Sequence, residues 1–131
     1  MSGEKAKEYI DKITNYYKGE VLFHVPYEGK KCSIIPEELY SILYISNGIA
    51  ETMILPDSDE KIEISWIIYP HDMIIEQTEF YVETYNLNGT VFSEDGTGSP
   101  FIIKPDGMII CFNCIDNEET VVADSLLDFF Q

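Results

Sequence analysis

The last forty residues constrain the fold more tightly than any other part of this chain. Phe92 to Gln131 reads FSEDGTGSPFIIKPDGMIICFNCIDNEETVVADSLLDFFQ. A short apolar run leads into an acidic glycine loop, Glu94-Asp95-Gly96-Thr97-Gly98. A second run, Phe101 to Ile103, meets the turn Lys104-Pro105-Asp106-Gly107, and a third spans Met108 to Ile115. Pro presets φ and Gly accepts positive φ, so Pro-Asp-Gly between apolar runs marks a strand reversal. The stretch predicts a β-meander that closes on a short C-terminal helix.

Upstream, the periodicity changes. Glu4 to Lys18 has a helical pattern, with Ala6, Ile10, Ile13 and Tyr17 on one face and Gly19 as a stop. Val21 to Val25 predicts a short strand, and Pro26 to Lys31 a loop. Pro36 to Ser46 predicts a second helix. Pro36 suits its first position, Glu37 and Glu38 complement its positive end, and Asn47-Gly48 ends it. Leu39, Ile42 and Leu43 form the buried stripe. Thr52–Leu55 and Lys61–Ile68 predict a hairpin around Pro56-Asp57-Ser58-Asp59. In its second strand Ile62, Ile64, Trp66 and Ile68 share a face. Pro70 to Tyr85 predicts a third helix, with Ile74, Thr78, Tyr81, Val82 and Tyr85 on its apolar side.

The order of these landmarks resembles the SUKH superfamily, which includes the yeast cell-wall-synthesis regulators of the Smi/Knr type. The matching residues are Ile35-Pro36, Asn47-Gly48, Trp66, Asp95-Gly96-Thr97-Gly98, and Ala123-Asp124-Ser125-Leu126 ahead of Phe129-Phe130. The likeness runs from about Ile35 to Phe130. Glu20 to Cys32 departs from it, lacking the acidic helix that often precedes the Ile-Pro helix. The resemblance implies a single domain over residues 1–131, with Pro36, Asn47, Gly48, Trp66, Asp95, Gly96 and Gly98 as structural motif positions. The expected fold is α+β: N-terminal helices, an antiparallel sheet of about six strands, one inserted helix and a short C-terminal helix.

Charge narrows the function. The chain has 24 acids against 8 bases, every base a lysine, for a formal net charge of −16. Residues 1–61 carry 11 acids and 7 lysines, whereas residues 62–131 carry 13 acids and only Lys104. Such a surface repels nucleic acid and anionic membrane and attracts cationic partners. Without arginine the chain cannot form the bidentate clamp that phosphate sites favour. No stretch of about 18 apolar residues offers a membrane span. The charged N-terminus lacks an apolar signal-peptide core, and three cysteines fit a reducing compartment, so the expectation is a cytoplasmic protein.

Four carboxylates on the third helix, Asp72, Glu76, Glu79 and Glu83, fall opposite Ile74 with no lysine among them. Like charges three and four apart cost a helix about 0.2–0.5 kcal/mol per pair. A face shaped only for stability would interleave lysine. Although a merely solvated face is the commoner outcome, this stripe is the leading candidate for a partner surface, and Glu94 and Asp95 are assigned to the same contact surface. Other chemistry finds less support. The Glu94–Ser99 loop has no P-loop spacing, no lysine among its glycines, and no spaced calcium-ligand series. Its simplest reading is a turn in which Asp95 and Thr97 bond local N–H groups. Cys111-Phe112-Asn113-Cys114 has redox spacing but falls in a predicted strand, which favours core cysteines. His24 and His71 sit in no nucleophile arrangement, and Trp66 reads as a core anchor ahead of a groove-lining ring.

The expectation is therefore a non-enzymatic binding module with no cofactor or metal. Bacterial SUKH members are similar to immunity proteins of polymorphic toxin systems, which block a cognate toxin domain. The resemblance implies such a role here, against a basic toxin acting on nucleic acid. A regulatory scaffold with several cellular partners is the alternative. A third class, an enzyme using paired carboxylates, requires a deep pocket with two acids facing each other.

Overall fold

The computed structural model describes residues 3–130, with side chains from residue 6 onward. It is an α+β fold with four helices and seven strands among the described residues. Helix α1 (Gly3–Tyr16) precedes strand β1 (Val21–Phe23) and helix α2 (Glu37–Leu43). Strands β2 (Ile49–Ile54) and β3 (Lys61–Ile68) form a hairpin, and helix α3 (His71–Tyr85) follows. The meander is β4 (Thr90–Glu94), β5 (Pro100–Ile103), β6 (Ile109–Asn113) and β7 (Glu118–Ala123), and α4 (Leu126–Phe129) ends it.

The strands form two antiparallel sheets, ordered β1-β2-β3 and β4-β5-β6-β7, rather than one sheet of about six. Hydrogen bonds tie the two together. The N–H of Tyr69, just beyond β3, donates to the Phe92 carbonyl at 2.8 Å. The Ser93 hydroxyl donates to the Trp66 carbonyl at 3.2 Å. The additional strand is β7, whose residues are exposed up to its last position. With one face on solvent and Glu118-Glu119 at its start, it lacks the apolar alternation that announces a strand.

Local signals explain most element ends. Helix α1 buries Ala6, Tyr9 and Ile13, while Ile10 and Tyr17, expected on the same stripe, are half-buried. The Tyr9 hydroxyl donates to Glu38 Oε2 at 3.0 Å and so fastens α1 to α2. Pro36 is not the first helical residue of α2. It stands one position earlier, extended at ψ 154°, and its carbonyl accepts the Leu39 N–H at 3.1 Å. Gly107 closes the β5–β6 turn at φ +93°, with its N–H on the Lys104 carbonyl at 2.8 Å. At α4 the Ser125 hydroxyl accepts the Asp128 N–H at 3.1 Å, an N-cap of the ordinary kind.

One joint gathers residues that lie far apart in sequence. The Asn47 side-chain carbonyl accepts the His71 N–H at 2.7 Å, which satisfies a free donor at the start of α3. Gly48 has φ +93°, and a Cβ there would lie 3.0 Å from both the Pro70 ring and the Trp66 ring. Asn47, Gly48 and Trp66 thus meet where β3 gives way to α3. They fix the point from which the helix projects. On its inner side α3 is held by Thr78, whose buried hydroxyl accepts the Val91 N–H at 2.9 Å.

Candidate partner-binding surface

The joint orients α3 so that its carboxylates face solvent. Asp72, Glu76, Glu79 and Glu83 are all exposed, while Ile74 and Thr78 on the other side are buried. Asp72 is 97% exposed at its side chain and bonds His71 Nδ1 at 2.8 Å. Among the described residues, Glu76, Glu79 and Glu83 have no cationic partner. The C-terminal turn of α3 carries no basic residue, although the helix dipole favours one there. The stripe is bordered by apolar side chains. Phe80 is 52% exposed and Val82 40%, so Val82 is not on the buried side as its spacing suggested. Val82, Glu79 and Glu83 edge a cavity of about 350 Å³ floored by Thr78, Leu87 and Ile34.

His71 anchors the N-terminal end of this face. Its ring is buried and stacks on Tyr27, with centroids 3.8 Å apart. Because a carboxylate only accepts, Nδ1 carries the proton that reaches Asp72. In the neutral ring Nε2 then accepts from the Tyr40 hydroxyl at 2.9 Å. The Tyr40 oxygen in turn accepts the Cys32 backbone N–H.

Glu94 and Asp95 belong to a different surface. Burial raises the Tyr81 hydroxyl pKa, with Cys114, Tyr85 and Glu94 adding to the shift. Glu94 and Asp95 line a cleft with Trp66, Phe101 and Phe129, whereas Glu79 and Glu83 edge the cavity beside Thr78 and Leu87. The six candidate acids therefore divide into two groups.

The second group surrounds the β4–β5 turn. One Asp95 oxygen accepts the Thr97 N–H at 2.8 Å, the Thr97 hydroxyl at 2.6 Å and the Ser99 N–H at 3.2 Å. Partial desolvation pushes the Asp95 carboxyl pKa up, but these donors outweigh it and hold the group below the usual carboxylate range. Gly96 and Gly98 have φ +88° and +96° with open space where a Cβ would point, so conformation rather than crowding selects glycine there. The turn reading of Asp95, Gly96 and Gly98 agrees with this geometry.

Beside the turn lies a cleft of about 320 Å³. Its walls include Tyr16 and Tyr17 at the end of α1, Trp66 on β3, and Phe101 and Phe129. Its carboxylates are Glu51 on β2, Glu94 and Asp95. Burial pushes the Tyr17 hydroxyl up to about 12, and Glu51 contributes. Burial also raises the Tyr69 hydroxyl, and the neighbouring Glu94 charge adds to it. Trp66 is half-buried and lines this cleft instead of standing wholly inside the core. Tyr16, Tyr17 and Glu51 were not legible as site residues, because they arrive from separate elements. A paired-acid hydrolase needs one carboxyl held protonated. Asp95 is held the other way.

The cysteines also depart from expectation. Cys111 is half-buried, but Cys114 is exposed because β6 ends at Asn113 and leaves it in the following turn. Cys32, Cys111 and Cys114 are all free thiols. Among the described residues no group of three or more His, Cys, Asp and Glu could hold a metal ion. No helix among them is long and apolar enough to cross a membrane.

The architecture defines a small α+β domain that carries two acid-rich surfaces. Compared with known proteins, the chain matches no family model, no curated protein and no solved structure.

Proposed function

We infer that this chain is an immunity protein of the SUKH type, which neutralises a cognate toxin domain by occluding it without a reaction of its own. The observation that carries the reading is the α3 face: four exposed carboxylates, of which Glu76, Glu79 and Glu83 lack any cationic partner among the described residues. An unneutralised face of this kind is costly for a lone helix and useful for docking a cation. Toxins that hold polyanions are basic, so their phosphate-gripping Lys and Arg match it. Such neutralisation takes place in the cytoplasm, where the toxin would act.

The separation of the acids into two surfaces favours a second reading, a regulatory scaffold that holds two basic partners at once. Co-expression with a candidate basic toxin domain, sought in the neighbouring genes, separates the two. Protection of the cells supports the immunity reading. Substituting Glu76, Glu79 and Glu83 by Lys should then remove protection while the far-UV spectrum stays unchanged. Full toxicity alongside wild-type protein overturns the immunity reading.

A further inference from the structure

We propose that the cleft between Trp66 and the β4–β5 turn is an arginine pocket, which receives one guanidinium side chain from a basic protein partner. The proposal rests on the reading that the partner is cationic, but not on the α3 face. Trp66, Tyr17 and Phe101 are left half-exposed around one cavity, and Tyr16 is 53% exposed at its edge. Glu51 and Glu94 reach the same cavity from different sheets, and no lysine or histidine lines it. Aromatic rings beside unneutralised carboxylates attract a cation with an apolar, polarisable body.

Other occupants fit less well. The carboxylates repel phosphate and other anions. An apolar side chain would desolvate Glu51 and Glu94 while leaving them unpaired. Among the described residues no group of three or more His, Cys, Asp and Glu is placed to hold a metal ion. Lysine is a compact, strongly hydrated point charge, whereas guanidinium is flat, weakly hydrated, stacks on aromatic rings and forks onto carboxylates. Glu51 uses one oxygen to accept the Ser65 hydroxyl at 3.2 Å, which steadies its side chain and leaves the other oxygen for a ligand.

Trp66 is the only tryptophan in the chain, so it reports on the cleft without labelling. The test titrates the full-length protein with N-acetyl-arginine methylamide at constant ionic strength. Trp66 emission and the indole N–H resonance are followed, with the lysine and glutamine analogues as comparisons. The expected result is saturation with a Kd on the order of millimolar. The lysine analogue should bind roughly tenfold more weakly and the glutamine analogue should give no saturation. Glu51→Gln with Glu94→Gln should weaken the arginine probe about tenfold with the far-UV spectrum preserved. Glu94→Gln alone, at an exposed position, gives a smaller loss in the same direction. No saturable response of Trp66, or equal responses to all three probes, overturns the pocket. Arginine binding without neutralisation of the candidate toxin upholds the pocket and removes that toxin as the partner. Neutralisation by a protein whose Trp66 ignores arginine removes the pocket alone.

Discussion

Glu79→Lys should make the protein more stable, not less. Glu79 lies three residues from Glu76 and four from Glu83 on the exposed face of α3. Both neighbours are like-charged, and each such pair costs a helix about 0.2–0.5 kcal/mol. Lysine turns both pairs from repulsive to attractive. Glu and Lys have nearly equal helix propensity, so the substitution isolates charge. Solvent screening keeps the gain at the lower end, about 1 kcal/mol at low salt. For a domain of this size that raises Tm by roughly 3–5 °C. The assay is thermal unfolding followed by circular dichroism at about 10 mM and 1 M salt. The Debye length falls from about 30 Å to about 3 Å between those conditions. Side chains three or four apart stand about 5–6 Å from each other, so the gain should nearly vanish at 1 M. Glu28→Lys makes the same change in net charge in an exposed loop and should give less than half the effect. A Tm that falls at low salt, or a gain that survives 1 M salt, refutes the claim that the face is electrostatically strained.

Three further substitutions probe how α3 and the cleft are held. Thr78→Val keeps the shape but strips the acceptor from the buried Val91 N–H, and should cost about 1–3 kcal/mol in urea unfolding. Gly48→Ala forces a side chain into φ +93° and within 3.0 Å of Pro70 and Trp66. It should cost about 1–3 kcal/mol and shift Trp66 emission. The Asp95 carboxyl is lowered on folding, so its stabilisation is fully present above the unfolded pKa and fades as pH falls through the folded pKa. Asp95→Asn should therefore be less stable than wild type at neutral pH, and the gap should close below the ordinary carboxylate range in melts followed against pH.

What the sequence made legible was local. Pro36, Asp95-Gly96-Thr97-Gly98 and Pro105-Asp106-Gly107 act within a few residues of themselves, and each marks a boundary close to where the structure has one. The helical period of α3 placed Asp72, Glu76, Glu79 and Glu83 on the exposed side. Val82 went astray because it flanks the stripe, where a side chain is neither fully covered nor fully free. Strand β7 was hidden because a strand open to solvent needs no apolar alternation. The register of β2–β3 is bulged, and the division into two sheets falls between β3 and β4. No short-range pattern encodes either. Asn47 was read as the stop of α2, yet its side chain caps α3, 24 residues further on. The cleft was invisible for the same reason: its rings and carboxylates come from α1, β2, β3, β4, β5 and α4 and meet only in the folded chain.

The most direct test is the association rate with the proposed basic toxin partner, measured by stopped flow as salt is raised from about 10 mM to 150 mM. Docking through unpaired carboxylates on α3 predicts that wild-type association slows steeply across this range. The protein with Lys at 76, 79 and 83 should start slower and show a much flatter dependence. Equal rates for the two proteins, indifferent to salt, would mean that the acidic face of α3 does not steer a cationic partner.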